Sequence, residues 1–278
     1  MSRYAAYAAI KEGYSIIVLT DSGSHASAEI IPEVGNNLFR FEIDGHQVIM
    51  PPLSLQALKN DATTAFKYGI PILFPPNRVK NGHFTYNGRD YSLPLNEPGN
   101  HLHGEISTKG WEVLEFGVSE ELGAFVTSRF LYASHPEILA YFPHRLSFTI
   151  TYRLYEGRLH MSATIFNEDE VEAPFAFGLH PYFYVPFVSQ REIILRIPNL
   201  EEWPVTNEAF VTGIPSITPF CRDLNEGVSI ASYPELGCSL LSLGGADLTC
   251  RIEMRDLGYA IAYQLDHQFP YVVLFRPD

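Results

Sequence analysis

Tight glycine turns set between short alternating apolar runs constrain this chain more than any other feature. Phe84-Thr85-Tyr86 and the run Arg89 to Leu93 flank Asn87-Gly88, while Arg145 to Tyr155 and Arg158 to Asn167 flank Glu156-Gly157. Asn and Gly accept the positive φ of a type I′ turn, which suits a two-stranded antiparallel ribbon. Further strands are predicted at Tyr14 to Thr20, Asn37 to Ile43, Gln47 to Met50, Glu112 to Phe116, Ala124 to Leu131 and Val171 to Leu179. The remainder are predicted at Glu192 to Ile197, Cys238 to Leu243, Thr249 to Met254, Tyr259 to Leu265 and Tyr271 to Phe275. No long segment carries a helical apolar period; Ser54 to Phe66, entered through Pro51-Pro52, comes nearest. Twenty prolines and twenty glycines are spread between strands rather than pooled in a linker. Residues 1–278 therefore read as a single all-β domain, a large and mostly antiparallel β-sandwich.

Composition narrows the function. A hydrophobic fraction of 46% and a charged fraction of 18% fit a soluble globular chain rather than a disordered one. The net charge of -13 sets up a field that repels nucleic acid and anionic membranes, so neither is an expected partner. No apolar run is long enough to span a bilayer. Met1-Ser2-Arg3-Tyr4-Ala5 lacks the basic-then-apolar order of a leader, and a cytoplasmic location is expected. Cys221, Cys238 and Cys250 are odd in number and widely spaced, which matches neither a disulfide framework nor a zinc pattern. The 19 Phe and 16 Tyr suit pleated sheets and carbohydrate sites alike.

Three short words carry chemistry. In Phe175-Ala176-Phe177-Gly178-Leu179-His180-Pro181, alternation places Phe175, Phe177 and Leu179 toward the core and Ala176, Gly178 and His180 on the other face. Two small residues beside a histidine leave room for a ligand, and Pro181 keeps His180 extended. An imidazole there can exchange a proton near neutral pH; the plain alternative is a histidine tied to a backbone carbonyl. In Asn100-His101-Leu102-His103-Gly104, an extended backbone would set His101 and His103 on one face. Two histidines without a third ligand are weak zinc evidence, so no metal is expected. In Pro75-Pro76-Asn77-Arg78, Arg78 offers a rigid fork of donors, either to a hydroxylated ligand or to a neighbouring acid. No dinucleotide or phosphate loop and no nucleophile elbow is present.

These words, in this order, resemble the aldose 1-epimerase (galactose mutarotase) family. Asn77-Arg78, the stretch Gly82 to Leu93 and Asn96 to Gly104 resemble its long N-terminal signature, and His180-Pro181-Tyr182-Phe183 its second. The resemblance implies a supersandwich fold, an open sugar groove and interconversion of the α and β anomers of a free aldose such as glucose or galactose, without a cofactor. It implies that His180 protonates the ring oxygen, that His103 contacts the sugar and supports ring opening, and that Arg78, beside Asn77, holds sugar hydroxyls. The family's substrate-binding aspartate has no matching position. Its glutamate base lies in a Glu-Pro motif after a strand like Phe269 to Phe275, whereas this sequence stops at Arg276-Pro277-Asp278. The chain is thus expected to be cut short, with little turnover from these residues alone. Glu105, next to Gly104, is a conceivable substitute, with a solvated or salt-bridged role as the alternative. Two other readings stand beside the mutarotase: a non-catalytic sugar-binding or sensing protein, and a hexose-phosphate mutarotase, which would need a basic subsite. Either a monomer or a homodimer is compatible.

Overall fold

The computed structural model describes residues 2–60, 67–186, 193–234 and 236–276. The chain divides into two compact units, Met1–Tyr184 and Val185–Asp278.

In the first unit, a five-stranded antiparallel meander runs through Tyr4–Lys11, Tyr14–Asp21, Ala26–Ile31, Asn37–Ile43 and His46–Ile49. A four-stranded meander follows: Glu112–Ser119, Gly123–Leu131, Leu146–Tyr155 and Arg158–Asn167. Burial alternates without a break along Leu146–Tyr155, so Leu146, Phe148, Ile150, Tyr152 and Leu154 all face inward. They share one core with Ile17, Leu19, Ala28, Ile30 and Leu38 of the first meander. Both glycine turns form as the sequence predicts. Asn87-Gly88 joins His83–Tyr86 to Arg89–Ser92 with φ of 47° and 75°, and Glu156-Gly157 has φ of 49° and 70°.

The second unit holds two smaller sheets. One orders Val228–Ser229, Ile193–Arg196, Thr249–Met254 and Tyr259–Gln264; the other orders Asn199–Trp203, Cys238–Leu243 and Tyr271–Phe275. Helix Pro219–Glu226 begins with Thr218 accepting from the Cys221 N–H, and proline at its first position has no amide to leave unpaired. It buries Phe220, Cys221 and Leu224 against Leu195, Ile197 and Leu241. Cys221, Cys238 and Cys250 form no disulfide with one another.

The expected single large antiparallel sandwich, or supersandwich, is not what these strands form. Among the described residues the strands separate into four antiparallel sheets of five, four, four and three strands, each about the size of a propeller blade, together with several two-stranded ladders. The sequence marks strands and hairpin turns well, but pairings between distant strands decide where one sheet ends and the next begins. Several strands escaped the sequence pattern, among them Asn199–Trp203 and also Tyr4–Lys11 and Ala26–Ile31, whose alanines blunt the alternation. The helical stretch shortens to Leu55–Asn60, and residues 61–66 of that expectation lie outside the described residues. Among the described residues, no helix is long and apolar enough to cross a membrane.

An aromatic cluster anchors the segments that matter below. The Phe148 ring lies 5.1 Å from Phe74, 5.6 Å from Tyr132 and 6.3 Å from Phe177, centroid to centroid. Phe74 leads into Pro75-Pro76-Asn77-Arg78, and Phe177 leads into His180. Phe148 is fully buried, so Phe148→Ala should cost about 3–5 kcal/mol through lost burial and a residual cavity. Urea denaturation should show a lower midpoint with an unchanged slope.

Candidate functional site

The site grows from two backbone ties within the first unit. Ile72–Leu73 pairs antiparallel with Gly178–Leu179, and the register continues through the His180 N–H donating to the Pro71 carbonyl at 3.0 Å. The Tyr182 N–H donates to Gly69 O at 2.9 Å, and the Met50 N–H to Tyr182 O at 2.7 Å. Separately, Arg78–Lys80 pairs with Asn100–Leu102, setting Leu102 opposite Arg78. The first tie fixes His180 and the second places His103 one residue past a strand end.

The predicted strand Val171 to Leu179 shrinks to Gly178–Leu179. Its partner is bounded by Pro71 and Pro75, and Pro174 has no N–H of its own, so the ladder has no room to grow. Phe177 and Leu179 reach the core as expected, but Phe175 is 60% exposed, because the irregular backbone before Gly178 breaks the alternation. The space beside Gly178 is also taken. A Cβ there would lie 2.7 Å from Cβ of Pro76, so this glycine admits a proline ring rather than a ligand.

His103 and Asn77 both adopt left-handed backbone, with φ of 62° and 61°. That shared geometry lets them bond reciprocally. The His103 N–H donates to Asn77 O at 3.0 Å, and the Asn77 N–H donates to Nδ1 of His103 at 3.1 Å. An Nδ1 that accepts leaves the ring proton on Nε2. Gly104 follows with φ of 66°, and a Cβ there would meet the Phe74 carbonyl oxygen at 1.8 Å, so only glycine fits. The left-handed turn also separates the two histidines that the sequence set on one face. His101 is buried, and its Nδ1 lies 2.6 Å from the Pro94 carbonyl. His101 is therefore a core residue.

The His103 and His180 rings meet edge to face, with centroids 5.3 Å apart and planes at 86°. On its other side His180 stacks on Tyr182, 4.8 Å away with planes 6° apart. Burial is the main reason both imidazoles lose basicity. His103 falls to about 3, with the charges of His180 and Arg78 adding to the effect, and His180 is also lowered. Both rings are neutral at pH 7. Burial raises the Tyr182 hydroxyl to about 12.

Arg78 is held by Glu97 through two contacts, Nε to Oε1 at 2.6 Å and Nη2 to Oε2 at 3.2 Å. Glu105, the conceivable substitute base, lines a cleft with His101, Tyr132, Tyr141 and Phe142. The structure thus brings together Asn77, Arg78, His103 and His180, and it places Glu105 in the lining of that cleft. Sequence reasoning missed Glu97 and Tyr182, although both lie inside the quoted words Asn96-Glu97-Pro98-Gly99-Asn100 and His180-Pro181-Tyr182-Phe183. Among the described residues, no group of three or more His, Cys, Asp or Glu is placed to hold a metal ion. Chemically, the cluster offers a neutral Nε2–H donor, a second imidazole for proton exchange and a guanidinium.

The lowered His103 value has a consequence for stability. The unfolded chain takes up this proton near the ordinary 6.5, whereas the folded chain takes it up only near 3. Stability from this group is complete above about 6.5 and drains away as pH falls toward 3. In urea melts across that window, His103→Gln should flatten the pH dependence by about one proton relative to the parent.

Comparison with known proteins places these features. The chain is 26% identical over 167 residues to the uncharacterized protein YihR of Escherichia coli K12, covering 58% of this chain. That match takes in 51% of YihR, so the chain spans about half the length of the curated relative it matches. A galactose mutarotase-like protein from Clostridium acetobutylicum superposes with a TM-score of 0.87 at 26% identity, covering 97% of this chain and 83% of that one. Galactose 1-epimerase from Lactobacillus acidophilus shares the fold, with a TM-score of 0.73 at 16% identity over 90% of this chain and 76% of that one. The family model described as aldose 1-epimerase matches residues 16–278, nearly the whole length, and this chain belongs to that family.

Proposed function

We propose that this protein interconverts the α and β anomers of a free aldose by acid–base ring opening at His180 and His103. The observation that carries the reading is the edge-to-face pair of neutral imidazoles beside Arg78, on a chain of the aldose 1-epimerase family. Ring opening removes the proton from the anomeric hydroxyl, breaks the bond from C1 to the ring oxygen and delivers a proton to that oxygen. The product is the open aldehyde, and closure after rotation gives the other anomer. His180 is assigned the proton delivered to the ring oxygen. Burial keeps His180 mostly neutral at pH 7 and makes its small imidazolium fraction the stronger acid. His103, with its proton on Nε2, donates to a sugar oxygen, while Arg78 and Asn77 hold hydroxyls.

No described residue is assigned as the base: Glu97 holds Arg78, and the anomeric proton is taken up by solvent water. The engagement of Glu97 favours a second reading, sugar binding without turnover on the same site. The substrate fitted by this chemistry is an uncharged hexose such as glucose or galactose. Three cysteines that form no disulfide with one another suit a reducing compartment such as the cytoplasm.

Polarimetry on the full-length protein with fresh α-glucose and α-galactose should show mutarotation faster than the buffer rate. His180→Asn should lower kcat/KM by about 10²–10⁴-fold, the usual worth of a general acid. Calorimetric binding of either sugar without rate acceleration would support the second reading, and neither binding nor acceleration would overturn both.

A further inference from the structure

The fork of Arg78 is the charged group that the proposed sugar site presents, and Glu97 meets it with two oxygens. The 2.6 Å and 3.2 Å contacts form a side-on pair, with the two side chains 27% and 18% exposed. Such a geometry fixes the guanidinium plane as well as compensating its charge. The loop that carries Glu97 is itself pinned. Glu97 and Asn100 form an antiparallel bridge, with Glu97 N–H to Asn100 O at 3.3 Å and Asn100 N–H to Glu97 O at 3.4 Å. One residue earlier, Asn96 accepts from the Leu102 N–H at 2.6 Å and donates to the Leu102 carbonyl at 2.8 Å. Leu102 precedes His103 and lies opposite Arg78. A single loop therefore sets the position of both the histidine and the arginine.

We propose that Glu97 is a specificity-determining residue, which neutralises and orients Arg78 so that the site selects uncharged sugars over sugar acids and sugar phosphates. This rests on the sugar site proposed above. A lone arginine in a half-buried site would attract a carboxylate or phosphate strongly, because charge pairing gains strength where water is partly excluded. With its fork occupied by a carboxylate and its neighbouring imidazoles neutral, the site contributes donors but no net charge. An anionic sugar then meets the Glu97 carboxylate and the field of a chain carrying a net charge of -13. Selection against the wrong ligand by a fixed like charge is a common device of specificity.

The test compares glucose with glucuronate, and galactose with galacturonate, by calorimetric titration of the full-length protein and its variants. The parent should favour each neutral sugar. Glu97→Gln keeps the shape but frees the cationic charge, and should shift the affinity ratio toward the uronate by about tenfold or more. Glu97→Asp, which keeps the charge, should restore most of the neutral preference. If Glu97→Gln does not fold, as judged by thermal melts, Arg78→Gln supplies the opposite arm. It leaves Glu97 unopposed and should sharpen rejection of the uronate beyond its loss of neutral-sugar affinity. An unchanged ratio in whichever variant folds, with neutral-sugar binding still present in the parent, overturns the proposal and leaves the sugar site standing. A parent that binds neither neutral sugar overturns the site and the proposal together.

Discussion

The candidate site depends on the short antiparallel tie between Ile72–Leu73 and Gly178–Leu179. It joins segments more than a hundred residues apart, and only two residue pairs with flanking amide bonds are available to do so. Prolines on both sides of Ile72–Leu73 prevent a longer ladder, so side chains must supply the remaining rigidity. Phe74 and Phe177 provide it by packing on the same Phe148 ring. Pro76 completes the seat by filling the space over Gly178. The backbone sets the register and the aromatic rings hold it, leaving His180 to meet His103 at a fixed angle.

The second constraint is local. Left-handed backbone at Asn77 and His103 costs free energy in residues that carry a Cβ, of order 1–3 kcal/mol each. The reciprocal hydrogen bonds between them offset part of that cost and also select the tautomer of His103. A histidine in an ordinary strand would have pointed back along the face of His101, into the core. The turn moves His103 out of that alternation and into contact with His180.

Much of this was legible in the sequence, and the failures have physical causes. The Asn87-Gly88 and Glu156-Gly157 hairpins were readable because turn chemistry is local. The grouping of Asn77, Arg78, His103 and His180 was suggested by the order of short words resembling a family, since pairing across such separations leaves no local mark. Faces were misread where the backbone leaves the extended region. His101 and His103 do not share a face, Phe175 is exposed, and Gly178 makes room for Pro76. The single large sandwich failed for the same reason at larger scale, because alternation shows that a segment is a strand without naming its partner. Glu97 escaped notice because an acid between Asn96 and Pro98 looks like ordinary loop polarity until Arg78 is seen in its grip.

Charge ties the composition to the site by an unexpected route. The acidic balance of the chain argues against anionic ligands from long range, where ionic strength weakens the argument within about 8–10 Å. Close to the site the same preference arises again from different causes. Burial strips His103 and His180 of their charge, and Glu97 answers the charge of Arg78. Half-buried pairs are screened far less than surface charges, so the short-range contribution persists where the long-range field fades. A neutral polyol needs donors and acceptors at fixed positions rather than a potential. The reciprocal bonds at Asn77 and His103, the Tyr182 stack and the Glu97 clamp all act to fix positions, and none of them adds net charge.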